Sequence, residues 1–268
     1  MNNSSLFDVV FPDDFGGLLT SISPWVKNAV SRRLKSKKLL LVSAVCPDYA
    51  REEKGFTYVT ISGSVPYIAG KQLEMVQRII PLLASQGIEF EYHLTLADTE
   101  FDLPFVVEHM VNGDPFKFLQ LCQESCQAIT QKALKMSIPL KSCQRFTQAF
   151  PKWFTAYHDC LKKIDEEVQT DGSVRMDLLN NTVGRTPLYQ AMTSERVTQE
   201  YCRQMAMRQW AQYMAWGKLA EPTFGKGLVM MNHNTPNLGR INHPFARQGQ
   251  ERIPLLKLSL STMPVGCE

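Results

Sequence analysis

Leu39-Leu40-Leu41-Val42-Ser43-Ala44-Val45 is a short, nearly all-apolar segment, stopped by Pro47. A run of this length without polar alternation reads as a strand buried on both faces, the kind found in parallel sheets. Cys46-Pro47-Asp48-Tyr49 follows directly and is expected at the strand's carboxyl end. Arg51 to Lys54 reads as a charged connection, and Phe56 to Ser62, alternating and β-branched, as a second strand. Ser62-Gly63-Ser64-Val65-Pro66 is a turn. Beyond it, Leu73, Val76, Ile79, Ile80 and Leu83 recur at helical spacing, with Pro81 expected to kink the helix and Gly87 at its C-cap. Phe90, Tyr92, Leu94 and Leu96 then alternate with Glu89, Glu91, His93 and Thr95, a half-buried strand ending at Ala97-Asp98-Thr99-Glu100. Strand, helix and strand in this order form a βαβ unit with a right-handed crossover.

Outward from this unit the chain is helical. A helix near Pro24 to Leu34 ends in the basic run Arg32, Arg33, Lys35, Lys37, Lys38. Asp114-Pro115 marks an N-cap with proline at the first helical position. Leu119, Cys122, Cys126, Ile129, Ala133 and Met136 follow on one face. Phe146 to Val168 reads as helix, and Thr193 or Ser194 as the cap of a long helix through Val197, Trp210 and Met214. Gly227 to Met231 reads as a late strand before a loop rich in Asn, His and Arg. Leu256, Leu258 and Leu260 give an antiparallel or edge strand. The expectation is a single α/β domain over 1–268, with a weak internal boundary near 169–173. Its sheet is Rossmann-like and largely parallel, with helices on both faces and an expanded helical middle.

Composition excludes several classes. The 268 residues are 44% hydrophobic and 21% charged, which excludes wholesale disorder and a small disulfide scaffold. No apolar run approaches the roughly 20 residues that span a bilayer, and the opening residues, acidic at Asp8, Asp13 and Asp14, resemble no targeting peptide. A net charge of +3 does not by itself make a nucleic-acid binder. Seven cysteines, an odd number without a CxxC pair, argue against a disulfide framework and a zinc ribbon and fit a reducing, cytoplasmic setting. GxGxxG, GxxxxGK[ST] and GxSxG are all missing, so no cofactor is expected.

Ligands of open α/β sheets bind outside the carboxyl ends of the strands. Three groups are expected there: Ser43 to Tyr49, Asp98 with Glu100, and Asn232 to His243. Ser43 and Cys46 are the nucleophile candidates, although Ser43 also suits a hydrogen bond within its strand and Cys46 a small buried hydrophobe. Asp98 and His233 are candidates for acid–base work, and Asp98 and Glu100, two apart on a strand, share a face. Asp48, Tyr49, Ser62, Ser64, Glu100, Tyr213, Asn232, Asn234, Arg240 and His243 are candidates for substrate binding. His233 and His243 lack recognisable metal-ligand spacing, so no metal site is expected. The basic run from Arg32 to Lys38 suits phosphate contact or a solvated helix end.

The order of parts resembles the tRNA-dependent cyclodipeptide synthases, whose fold resembles the catalytic domain of class I aminoacyl-tRNA synthetases. The likeness lies in the basic segment before Leu41-Val42-Ser43-Ala44-Val45-Cys46, with Ser43 at the serine position. It extends to the strand ending Ala97-Asp98, the long middle helix, and the late strand before Asn232-His233. This resemblance implies a biosynthetic transferase acting on an aminoacyl group delivered by tRNA. The chain departs from the family pattern at Leu41 in place of glycine, at Cys46 in place of asparagine, in the insertion Arg51 to Ser62, and at Gly217, four residues after Tyr213. The expected function is group transfer on a nucleotide-like or tRNA-delivered aminoacyl substrate, without a membrane partner. The alternatives are a metal-assisted hydrolase using Asp98, Glu100, His233 and His243, and a non-catalytic ligand-binding protein.

Overall fold

The computed structural model describes residues 5–12, 22, 24–47, 49–53, 56–99, 107–108, 111–192, 198–234 and 253–259. Five parallel strands form the main sheet: β1 (Lys38–Val45), β4 (Glu89–Leu96), β5 (Leu140–Arg145), β6 (Val229–Asn234) and β7 (Leu255–Ser259). Their order in space is β5-β4-β1-β6-β7, so β1 is central and the chain builds outward from it in both directions. Strand order therefore reverses beside β1, the point at which open sheets place their ligands. A second sheet is an antiparallel hairpin of β2 (Tyr49–Glu53) and β3 (Phe56–Thr60). It turns the expected charged connection into a strand, since Arg51, Glu52 and Glu53 pair with Tyr58, Thr57 and Phe56.

Two helical layers cover the sheet, and alternate residues of β1 divide between them. Leu39, Leu41 and Val45 pack with α1 (Leu6–Val10), α2 (Pro24–Lys35), α3 (Tyr67–Ser85) and α4 (Pro115–Lys135). Leu40, Val42 and Ala44 pack with α5 (Phe146–Ala149), α6 (Trp153–Thr170), α7 (Gly172–Met192) and α8 (Gln199–Phe224). Every β1 residue after Lys38 is buried, as the run of apolar residues requires. β4 departs from the half-buried expectation: Tyr92 to Leu96 are all buried, because the second helical layer covers its polar face. His93 is accommodated there by bonds to Ser142 Oγ at 2.7 Å and Glu91 Oε1 at 2.9 Å, with Phe224 against its ring. β7 is an edge strand as expected, but runs parallel to β6.

Local chemistry explains the element ends. Asp114 accepts from the backbone N–H groups of Phe116 and Lys117, capping α4 ahead of Pro115. Lys37 and Gly87 take positive φ at the turns that feed β1 and β4. Pro81 lies inside α3, which runs on to Ser85. The expected long helix from Phe146 is broken into α5 and α6 by Phe150 to Lys152, and α6 gives way to α7 at Asp171. α8 is capped by Thr198, whose hydroxyl accepts from Tyr201 N–H; Thr193 and Ser194 lie outside the described residues. Among the described residues, no helix is long and apolar enough to cross a membrane.

A chain of buried polar groups crosses the sheet at its centre. Trp216 of α8 donates its indole N–H to Thr95 Oγ1 at 3.0 Å, and Thr95 donates to the carbonyl oxygen of Ser43 at 2.9 Å. On the opposite face, Ser43 Oγ lies 2.9 Å from Tyr92 Oη. Burial pushes the Tyr92 phenol up, so it stays protonated. Thr95→Val keeps the shape but leaves the Trp216 N–H unpaired. It is expected to lower stability by about 1–3 kcal/mol, read from the urea midpoint of unfolding. A loss within error would show that this chain carries no weight.

Candidate active site

At the carboxyl end of β1 a small cavity opens between the sheet and α8. Ala44, Val45 and Cys46 form one wall, Ala97 beyond β4 and Phe146 at the start of α5 another, and Gln209, Gln212 and Tyr213 the helical wall. It encloses about 20 Å³, room for roughly one water molecule. Cys46 is half-buried on this wall. Gln212 is 5% exposed, and its Nε2 has no hydrogen-bond partner. Larger clefts lie elsewhere. One of about 590 Å³ sits where α6, α7 and α8 meet, and one of about 400 Å³ runs between α6 and α8. Both are lined from those helices and reach no strand end, so the smaller cavity is the better candidate.

The nucleophile candidates separate. Ser43 sits two residues inside β1, fully buried and bonded to Tyr92 Oη, away from the cavity. Cys46, the first residue past the strand, lines it. Asp98 is placed just past β4 as expected, but it is fully buried and faces α5. It accepts from Thr147 N–H at 3.1 Å and from the Thr147 hydroxyl, and the Arg145 guanidinium lies 3.8 Å away. These bonds tie the ends of β4 and β5 to the first turn of α5. Burial raises the Asp98 pKa above the ordinary carboxylate value, against the lowering effect of Thr147 and then Arg145.

Of the remaining candidates, Tyr213 lies on the cavity wall. Asn232 is buried on β6, one residue past Met231, which stands opposite Ser43. His233 and Asn234 continue β6 and pair with Leu258 and Ser259 of β7. Tyr49 opens the hairpin strand β2. Ser62 and Ser64 are exposed, 2.9 Å apart through their hydroxyls, in the turn before α3. Gly63 between them has φ 72°, and a Cβ there would collide with the Glu124 side chain, which packs this turn against α4. Asp48, Glu100, Arg240 and His243 lie outside the described residues. Among the described residues, no group of three or more His, Cys, Asp or Glu is placed to hold a metal ion.

The basic run is at the other edge of the sheet, feeding the amino end of β1. Three of its five members are engaged by the protein: Arg33 donates to Ala29 and Gly227 carbonyls, Lys37 to the Gln86 carbonyl at 2.6 Å, and Lys38 pairs with Glu89 and Glu91. Sequence reasoning missed Gln209, Gln212 and Phe146. A signal was present: Met205, Gln209, Gln212 and Trp216 fall on one face of α8, and two amides interrupting a buried stripe mark a place where the helix leaves the apolar core.

No family model matches the sequence, and no curated protein does. Solved structures do. The fold is similar to that of a cyclodipeptide synthase. The enzyme from Bacillus thermoamylovorans aligns over 92% of this chain and 97% of its own, with a TM-score of 0.52 and 10% identity. Those from Staphylococcus haemolyticus and Fluoribacter dumoffii align over 89% and 81% of this chain and 97% and 88% of their own. Their TM-scores are 0.49 and 0.47, with 14% and 11% identity. The expected resemblance therefore holds at the level of the fold: a parallel α/β sheet in the cyclodipeptide synthase arrangement.

The burial of Asp98 has a consequence in pH. With its pKa raised on folding, the native state holds this proton more tightly than the unfolded chain does. That stabilisation is complete below the ordinary carboxylate pKa and is lost as pH rises through the raised native value. The urea midpoint of the parent, relative to that of Asp98→Asn, is expected to fall across a window that opens at the ordinary carboxylate pKa and runs upward in pH. A relative midpoint that rises over that window would assign Asp98 a depressed native pKa instead.

Proposed function

We propose that this chain is an aminoacyl-transfer enzyme, taking the acyl group from a tRNA-delivered ester onto Cys46 at the carboxyl end of β1. The observation that carries this reading is the separation of the two nucleophiles: Cys46 lines the cavity, while the Ser43 hydroxyl is enclosed and bonded to Tyr92. The position at the reversal of strand order and the likeness in fold to cyclodipeptide synthases support it.

The chemistry is that of a covalent intermediate. The Cys46 sulfur bonds to the acyl carbon, the ester C–O bond breaks, and the ribose oxygen leaves, taking up the proton released by the thiol. The resulting thioester keeps the acyl group activated for attack by the α-amine of a second aminoacyl group, which forms an amide and frees the thiol. β1 supplies rigidity. It is paired on both sides and buried on both faces, so the atom that follows it is held in place.

Incubation of the intact protein with a mixture of aminoacylated tRNAs, quenched in acid, is expected to give a mass increase of one aminoacyl group. Cys46→Ala should abolish the increase and Ser43→Ala should retain it, in protein whose fold is checked by circular dichroism. Loss in Ser43→Ala with retention in Cys46→Ala would overturn the assignment. No adduct in any of the three would favour a non-catalytic binding protein.

A further inference from the structure

The cavity at Cys46 contains an unused hydrogen-bond donor. Gln212, one of the residues that line this site of about 20 Å³, is nineteen-twentieths buried, and its Nε2 makes no hydrogen bond. A buried amide N–H without a partner is costly, so such a group beside a cleft favours a ligand that accepts from it. The other described groups of the wall set the ligand's chemistry. They are the Cys46 thiol, the Gln209 amide, the Tyr213 phenol, and the apolar surfaces of Val45, Ala97 and Phe146. None of these carries a full charge, and the nearby Asp98 carboxylate is turned into Thr147 and Arg145. Among the described residues this wall offers a donor and no cation, which suits the carbonyl oxygen of an ester better than a carboxylate or a phosphate.

We propose that Gln212 is the oxyanion donor of this site, binding the carbonyl oxygen of the acyl ester through Nε2–H; the inference rests on Cys46 as the acyl acceptor. As the sulfur bonds to the carbonyl carbon, the C=O electron pair moves onto oxygen, and Gln212 stabilises the charge that forms there. When the C–O bond to the leaving group breaks, the electron pair returns to the carbonyl and the leaving oxygen takes the proton lost by the thiol. A buried amide on the long helix α8 is set before the reaction and needs no reorganisation during it.

Two reactions of the same thiol separate this role from a structural one. Acylation of the full-length protein by 4-nitrophenyl acetate, followed by release of 4-nitrophenolate and by intact mass, develops an oxyanion. Alkylation of the same thiol by iodoacetamide does not. In Gln212→Leu the acylation rate is expected to fall roughly 100- to 1,000-fold while alkylation stays within a few-fold of the parent. Gln212→Met, unbranched and of similar length, replaces Gln212→Leu if thermal melting shows that leucine unfolds the chain. Unchanged acylation would overturn the proposal. So would a parallel fall in both reactions, which would make Gln212 a residue that only shapes the cavity. A parent protein whose Cys46 is never acylated, yet is alkylated, would instead defeat the Cys46 reading and this inference with it.

Discussion

β1 is enclosed by protein on every side, and the rest of the molecule is arranged around satisfying it. Its backbone is paired by β4 and β6, its odd residues fill one core and its even residues the other. A serine at the centre of such a strand is costly unless both its hydroxyl and its peptide groups are hydrogen-bonded. Tyr92 meets the hydroxyl on one face, and Thr95, itself held by Trp216 of α8, adds a bond to the carbonyl on the other. This line of bonds joins β1, β4 and α8. The carboxyl ends of β1 and β4 and the middle of α8 converge, with Phe146, on the cavity.

The same arrangement divides labour among polar residues. Ser43 and Thr95 inside the sheet, and Asp98 just past β4, are bonded to neighbours and hold elements together. Those one step further out, Cys46 and Gln212, meet the cavity, and Gln212 retains an unused donor. A difference of three residues in the chain thus separates a buried, bonded hydroxyl from a thiol on the cavity wall. Buried polar groups that are fully bonded rigidify a core, and a rigid core is what allows a reactive atom at its edge to be aimed.

The fold was legible where periodicity was strong. Leu39 to Val45, the helix through Leu73 and Leu83, and the strand through Leu96 each carry a pattern that only one element satisfies. β5 was not legible, because Leu-Lys-Ser-Cys-Gln-Arg at a sheet edge has neither an apolar run nor clean alternation. α7 was hidden for a related reason: Met176, Leu179 and Val183 are exposed, so apolar residues do not mark its buried side. The place of the candidate cavity at the strand ends was legible, and Cys46 and Tyr213 of the expected residues line it. Gln212 was not legible, because whether a glutamine's amide is bonded is a property of packing. Asp98 illustrates the converse. Its place at a strand end can be read from the sequence, whereas its contacts with Thr147 and Arg145 are a property of the folded chain.

The most direct test locates the bond that forms. Trypsin releases residues 39–51 as one peptide, containing both Ser43 and Cys46. After reaction of the unmodified protein with aminoacylated tRNA and digestion in mild acid, fragmentation of that peptide assigns the acyl group to one side chain. The account predicts that the added mass lies on Cys46. Added mass on Ser43, or on any peptide outside residues 39–51, would contradict it.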